Sequence, residues 1–151
     1  MELKSYSIHH LVKSEDLNHH GTLFAGRTAE WFVEAGFVAA ANLVDAKDII
    51  CLKIHGMQFS KPIKAGNIVY FNSKIVFAGR TSLVAYVRVN LIHHKEIPVV
   101  EGFLTFVHVD EESKASPHGI TIAPETEEDI LLNQQAKELV KVKKAIEHVK
   151  Q

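Results

Sequence analysis

The residues best suited to chemistry lie in one run, Asp16-Leu17-Asn18-His19-His20-Gly21-Thr22-Leu23-Phe24-Ala25-Gly26-Arg27, a polar loop that leads into a stretch rich in Ala, Phe and Val. The first N–H groups of a helix have no intrahelical acceptor and carry the positive end of its dipole. At Gly26, where no Cβ intrudes, they can hold a carbonyl or a developing oxyanion. His19 or His20 offers an imidazole to take a proton from water. The structural alternative is that Asn18 or Thr22 caps the helix, Gly26 is a packing glycine, and the two histidines are a backbone-bonded and a solvated side chain.

The elements that must hold this loop follow from hydrophobic periodicity. Residues 3–12 read as a strand and residues 23–43, long and without proline, as a helix. Trp31, Phe32, Val33, Phe37, Val38, Ala40 and Ala41 occupy more than one face of that helix, which predicts burial nearly all round. Strands rich in Val, Ile, Phe and Tyr follow at 49–60, 68–78, 82–93 and 99–109, separated by Lys61-Pro62 to Gly66-Asn67, by Gly79-Arg80, and by His94 to Pro98. Such short connections predict an antiparallel meander, and the whole an α+β fold in which a sheet wraps one helix. Residues 117–124 read as a connector. Residues 125–150 read as an amphipathic helix carrying Ile130, Leu131, Leu139, Val142, Ala145, Ile146 and Val149, with acids at its start and lysines towards its end. That helix is expected to pack on its own domain or a neighbouring subunit; its acidic first turn argues against a membrane surface. The expected organisation is one domain at 1–116, the connector, and a helix of the same domain at 125–151.

Composition narrows the function. At 151 residues, 46% hydrophobic and 23% charged, the chain is an ordinary globular domain. Its 17 basic and 18 acidic residues nearly cancel, which argues against a nucleic-acid partner. Cys51 is the only cysteine, so neither an internal disulfide nor a thiolate zinc cluster is available, and in an apolar strand it reads as an inert thiol. With no secretory signal and no membrane-spanning run, the expected location is the cytoplasm. Three histidine pairs (9–10, 19–20 and 93–94) invite a metal reading, but neighbours on a strand point to opposite faces, and no metal site is expected. His55, His93, His94, His108, His118 and His148 read as ordinary strand or surface residues.

The run Asn18 to Arg27, followed by Glu30-Trp31-Phe32-Val33-Glu34-Ala35-Gly36, resembles the signature of hotdog-fold acyl-CoA thioesterases. His55-Gly56-Met57-Gln58-Phe59-Ser60-Lys61-Pro62-Ile63 is similar to that family's M-x-F-x-x-P stretch, and Gly79-Arg80-Thr81-Ser82-Leu83 to its glycine, Thr and Ser turn. Together these cover roughly residues 8–110. The resemblance implies a hotdog fold, acyl-CoA as substrate with coenzyme A as part of it and no further cofactor, dimers that join their sheets side by side with the site at their interface, and trimers of such dimers, a hexamer.

It also implies roles. The amides at Gly26 polarise the thioester carbonyl, Asn18 holds water or the carbonyl, and a carboxylate two helical turns after Gly26 acts as base or nucleophile. Here the sequence departs from the family, because Val33 stands at that position and Glu34 one residue later, about 100° round the helix. Glu34 is the candidate base, with His20 or His19 as the alternative; structurally, Glu34 is instead a partner for Arg27 on the same stripe. The phosphates of CoA call for cations and hydroxyls near a turn, which Arg80, Thr81 and Ser82 provide, with Lys61 and then Lys64 behind them. Two other activities fit less of the chain. Loss of the acid would leave an acyl-CoA-binding protein without turnover, and Asp16-Leu17-Asn18-His19-His20 is also similar to the Asp-x-Asn…His motif of hotdog hydratases.

Overall fold

The structure, a computed structural model, describes residues 3–150, and side chains as far as residue 141. Its elements are β1 (Ser5–Leu11), α1 (Ala25–Ala41), β2 (Ile49–Phe59), β3 (Ile68–Ala78), β4 (Ser82–Leu91), β5 (Val100–His108) and α2 (Glu127–Lys150). The five strands form one antiparallel sheet in the order β1-β3-β4-β5-β2. Among the described residues, no helix is long and apolar enough to cross a membrane.

The expected meander holds only for β3, β4 and β5; β2 leaves its sequence neighbour β3 and closes the far edge against β5. Three strand spacings of roughly 4.8 Å separate the two, about 14 Å, and a connection over residues 60–67 can reach that far. The chain crosses beneath the start of α1, where Leu23 N–H donates to Ile63 O at 2.7 Å and the Ile63 side chain is buried. Short length therefore limited the reach of this connection without making its strands neighbours.

The sheet curves around α1. Phe32, Ala35, Gly36, Ala39 and Ala40 of the helix meet Phe71, Leu83, Ala85, Val87, Leu104 and Phe106 of the inner face, all buried. Burial of α1 is not complete all round, since Glu30 and Glu34 remain exposed along one stripe. On the outer face Val76, Val84 and Tyr86 are covered by Leu132 and Ala136 of α2. That explains why β4 is buried at almost every position instead of alternating. The amphipathic helix thus packs on its own domain, though through Leu132 and Ala136; Ile130 and Leu131 face outwards. The side chains of Val142, Ala145, Ile146 and Val149 lie outside the described residues. Thr126 caps α2 by accepting the Asp129 N–H at 3.1 Å, and the nearly buried Asp129 carboxylate pairs with Lys74 of β3, which fixes the helix on the sheet.

Edge strand β2 carries two bulges. One extra residue lies between Cys51 and Lys53 and another between Ile54 and Met57, relative to β5. At the second, Gly56 adopts φ +115°, and its carbonyl lies where a Cβ of Gly102 would sit, with the Phe32 ring also 3.1 Å from that point. The bulge can form only opposite a glycine. Gly102→Ala should therefore destabilise the protein by about 1–3 kcal/mol in denaturant titration, since a fixed backbone carbonyl cannot yield as a side chain would.

Candidate functional site

The polar loop is tied down from both ends. Asp16, 4% exposed, accepts the Lys13 N–H at 2.9 Å and pairs with Arg27 Nε at 3.2 Å, while its own carbonyl takes the Phe24 N–H at 2.9 Å. Asn18 folds the turn: its Oδ1 accepts from His20 N–H at 2.9 Å and Thr22 N–H at 3.2 Å, and its Nδ2 donates to Thr22 Oγ1 at 3.1 Å. Gly21, at φ +76°, closes that turn. Because it sits in a loop, the His19–His20 pair escapes the alternation of strands, and the two exposed rings stand 3.9 Å apart. Among the described residues, no three His, Cys, Asp or Glu side chains converge as metal ligands.

Neither Asn18 nor Thr22 caps α1. The N-cap is Phe24, without a side-chain hydrogen bond, and both Arg27 and Thr28 N–H return to its carbonyl, at 3.0 and 3.1 Å. The amides of Ala25 and Gly26 are left with no acceptor among the described residues, directed along the helix axis with the dipole behind them. What Gly26 admits in this structure is the Phe24 ring, which occupies the place of a Cβ and is itself 54% exposed. Beside this end lies a cavity of about 340 Å³ lined by Leu23, Thr28, Phe59, Lys61 and Ile63.

Along α1, Val33 continues the stripe of Gly26 towards Phe37, which rests against Phe106 of β5 on the β2 side. Glu34 lies on the other flank, exposed, and does not pair with Arg27, which is taken by Asp16 and Glu30. Its charge is felt instead by His10 of β1, which the sequence singles out only as half of a histidine pair. His10 stacks on Trp31 (centroids 4.2 Å apart, planes within 6°), with the edge of Phe71 at 5.7 Å. Burial lowers its imidazole below the ordinary 6.5, against the raising influence of Glu34 and Asp16. The signal for His10 was present as a period of two, Tyr6, Ile8 and His10 sharing the inner face of β1.

Arg80, Thr81 and Ser82 do not join this site within one chain. Trp31 packs on Phe71, and Ser73 Oγ donates to Ala35 O at 2.7 Å, so β3 runs alongside α1 in the same direction and ends near the helix C-terminus. Gly26 and Ala41 are about 22 Å apart at 1.5 Å per residue. The Arg80 turn instead lines an outer-face cavity of about 230 Å³ with Leu52, His55 and Thr105. Of the residues expected to meet phosphates, Lys61 and Lys64 are at the Gly26 end, Lys61 lining that cavity and Lys64 bridging to Thr22. Cys51 is half-buried, and burial raises its thiol above the ordinary range.

A central helix wrapped by a curved sheet, with its first turn open beside a polar loop, is the architecture of a hotdog thioesterase. Residues 20–96 match the thioesterase superfamily, and the chain belongs to that family. It is similar to an uncharacterized acyl-CoA thioester hydrolase, YkhA, of Bacillus subtilis (strain 168), with 29% identity over 124 residues, 80% of this chain and 71% of the relative. Its structure resembles an acyl-CoA hydrolase from Staphylococcus aureus in complex with butyryl coenzyme A, coenzyme A and coenzyme A disulfide (TM-score 0.82, 24% identity, covering 95% of this chain and 85% of that one). It likewise resembles an apo-hexameric acyl-CoA thioesterase (TM-score 0.82, 27% identity, 93% and 91% covered).

Trp31 is the only tryptophan, so its emission reports its stacking partner. A protonated imidazole quenches a stacked indole. Trp31 fluorescence should fall on acidification with a midpoint below 6.5, and His10→Gln should remove that step. The sign for stability follows. With a lowered folded value the unfolded chain takes up the proton first, so the contribution of His10 is full above about 6.5 and is lost as pH falls.

Proposed function

We propose that the chain hydrolyses acyl-CoA thioesters. Water attacks the acyl carbon, the carbon–sulfur bond breaks, and the products are a carboxylic acid and CoA with its thiol protonated. The observation that carries this reading is the pair of amides, Ala25 and Gly26, without an acceptor among the described residues at the start of a buried helix in a thioesterase-superfamily chain. Donors aimed at an oxyanion in a fixed frame stabilise charge that develops only in the transition state. Phe24 must swing aside to admit the acyl oxygen, which its exposure permits.

In this reading Asn18 uses its Nδ2 to orient the attacking water or the carbonyl, and Glu34 takes the proton, with His20 as the alternative base. Arg80, Thr81, Ser82 and Lys61 are the groups assigned to CoA. The Arg80 turn lies at the opposite end of α1, so its part requires a partner chain. Edge strand β2 supports that assembly: Ile50, Leu52 and Ile54 are 45%, 50% and 41% exposed beside an unpaired ladder edge. A two-fold antiparallel junction there would bring one helix start towards the partner's Arg80 end, and three such dimers would make a hexamer. The lone thiol of Cys51 suits a reducing compartment such as the cytoplasm. A second reading, CoA-ester binding without turnover, is favoured by Val33 on the Gly26 stripe.

Thiol release measured over acyl-CoAs of increasing chain length should show turnover; binding without any release selects the second reading. Asn18→Asp keeps the Oδ1 acceptor that folds the loop and removes the donor, so kcat should fall about 100-fold with the melting temperature nearly unchanged. Glu34→Gln should lower kcat by about 100-fold or more. Full activity in that variant would discard Glu34 and leave His20→Gln as the decisive substitution.

A further inference from the structure

The turn between β4 and β5 carries the histidine pair and lysine that the reaction leaves unused. Together with Lys61, the side chains of His93, His94 and Lys95 line a cleft of about 740 Å³. Among the described residues, none of these four makes an ion pair or a side-chain hydrogen bond, and the one carboxylate in the cleft is Glu96. The turn is nevertheless held in place. Arg88 donates to the carbonyls of Lys95 and Glu96 at 3.1 and 2.7 Å, and Asn90 Nδ2 to the Lys95 carbonyl at 3.1 Å. Arg88 thus spends its donors on the backbone of the turn and on Asn90 Oδ1, and the lysine and histidine side chains are left lining the cleft on a braced support.

Lys61 also lines the cavity that holds Leu23 and Thr28, on either side of Gly26. Lys61 is common to both cavities, and a path past its side chain would lead from the amides of α1 to the β4–β5 turn. An ester whose acyl oxygen sits on those amides would extend its arm along this path to two ammonium groups and two imidazoles.

We propose that this cleft is a phosphate subsite, in which Lys61 and Lys95, with N–H donors from His93 and His94, bind the phosphate end of the CoA ester on the same protomer that holds the acyl group. This rests on the acyl-CoA reading and gives the nucleotide end a place that Arg80, at the far end of α1, cannot supply within one chain.

The test is calorimetric titration with CoA, dephospho-CoA, pantetheine and inorganic pyrophosphate, using the wild type, the double variant His94→Gln/Lys95→Gln at two exposed positions that have no part in the acyl site, and Arg80→Gln. The double variant should bind CoA about tenfold more weakly and pantetheine within about twofold of the wild type; in hydrolysis KM should rise while kcat holds. Pyrophosphate competing with CoA in the wild type, and losing that competition in the double variant, would assign the subsite to the pyrophosphate. A selective loss with dephospho-CoA would assign it to the ribose phosphate. Unchanged CoA binding in the double variant, with weakened binding in Arg80→Gln, overturns the subsite and leaves thioester hydrolysis standing. A wild type that neither binds CoA nor releases thiol overturns both.

Discussion

Seventeen residues of helix hold their shape here because one face of α1 is pressed into a curved sheet, not because of their intrinsic propensity. A buried Phe such as Phe32 contributes about 1.5–3 kcal/mol, and Ala35, Gly36, Ala39 and Ala40 let the helix lie close to the strands beneath. Gly36 is in direct contact with Leu104, so the helix can neither slide nor turn without a clash. Immobility of α1 fixes where its first turn opens, and the polar loop, locked by Asp16 to Lys13 and Arg27, carries that order to Asn18. A protein that must hold donors still while charge develops needs this kind of frame.

The sheet serves both of its faces. Inner residues bind α1, and outer residues of β3 and β4 are closed off by α2 through Leu132, Ala136 and the Lys74–Asp129 pair. A buried ion pair of this kind adds little net stability but specifies position, because a helix shifted along the sheet would strand Asp129 away from its partner. β4 is paired on both sides and covered on both faces, whereas β1 and β2 are the edges of the sheet, and at β2 the exposed Ile and Leu residues beside the edge are the surface that a second copy would bury.

The two ends of α1 differ in chemistry. Its start has open amides, Asn18, Lys61 and the β4–β5 turn; its end has the Arg80 turn, which His118 supports by facing the Ser82 carbonyl at 3.0 Å. Glu34 lies between them on the flank of His10 and Trp31, while the stripe continuing from Gly26 is closed by Val33. A carboxylate moved one residue round a helix meets different neighbours, and here these are an aromatic stack and a half-buried imidazole. Any base for water must reach the amides from that flank, from the loop histidines, or from another chain.

The strands, both helices and the α+β class were legible in the sequence, with boundaries moved by about two residues, because period-2 and period-3.6 burial are local properties written into each segment. The polar loop meeting a helix start was legible for the same reason. Sheet order was not. Whether β2 lies beside β3 or beyond β5 depends on a crossing under α1 stabilised by Ile63 and Leu23, contacts between segments about forty residues apart. The sequence likewise suggested Arg27 as a partner for Glu34 and Asn18 or Thr22 as a helix cap, whereas packing gave Arg27 to Asp16, left Phe24 as the cap, and set His10 on Trp31. Residue type and spacing determined which groups this chain can offer to an acyl carbonyl. Only the tertiary fold, by choosing which distant segments share one end of the rod, decided which of them stand together.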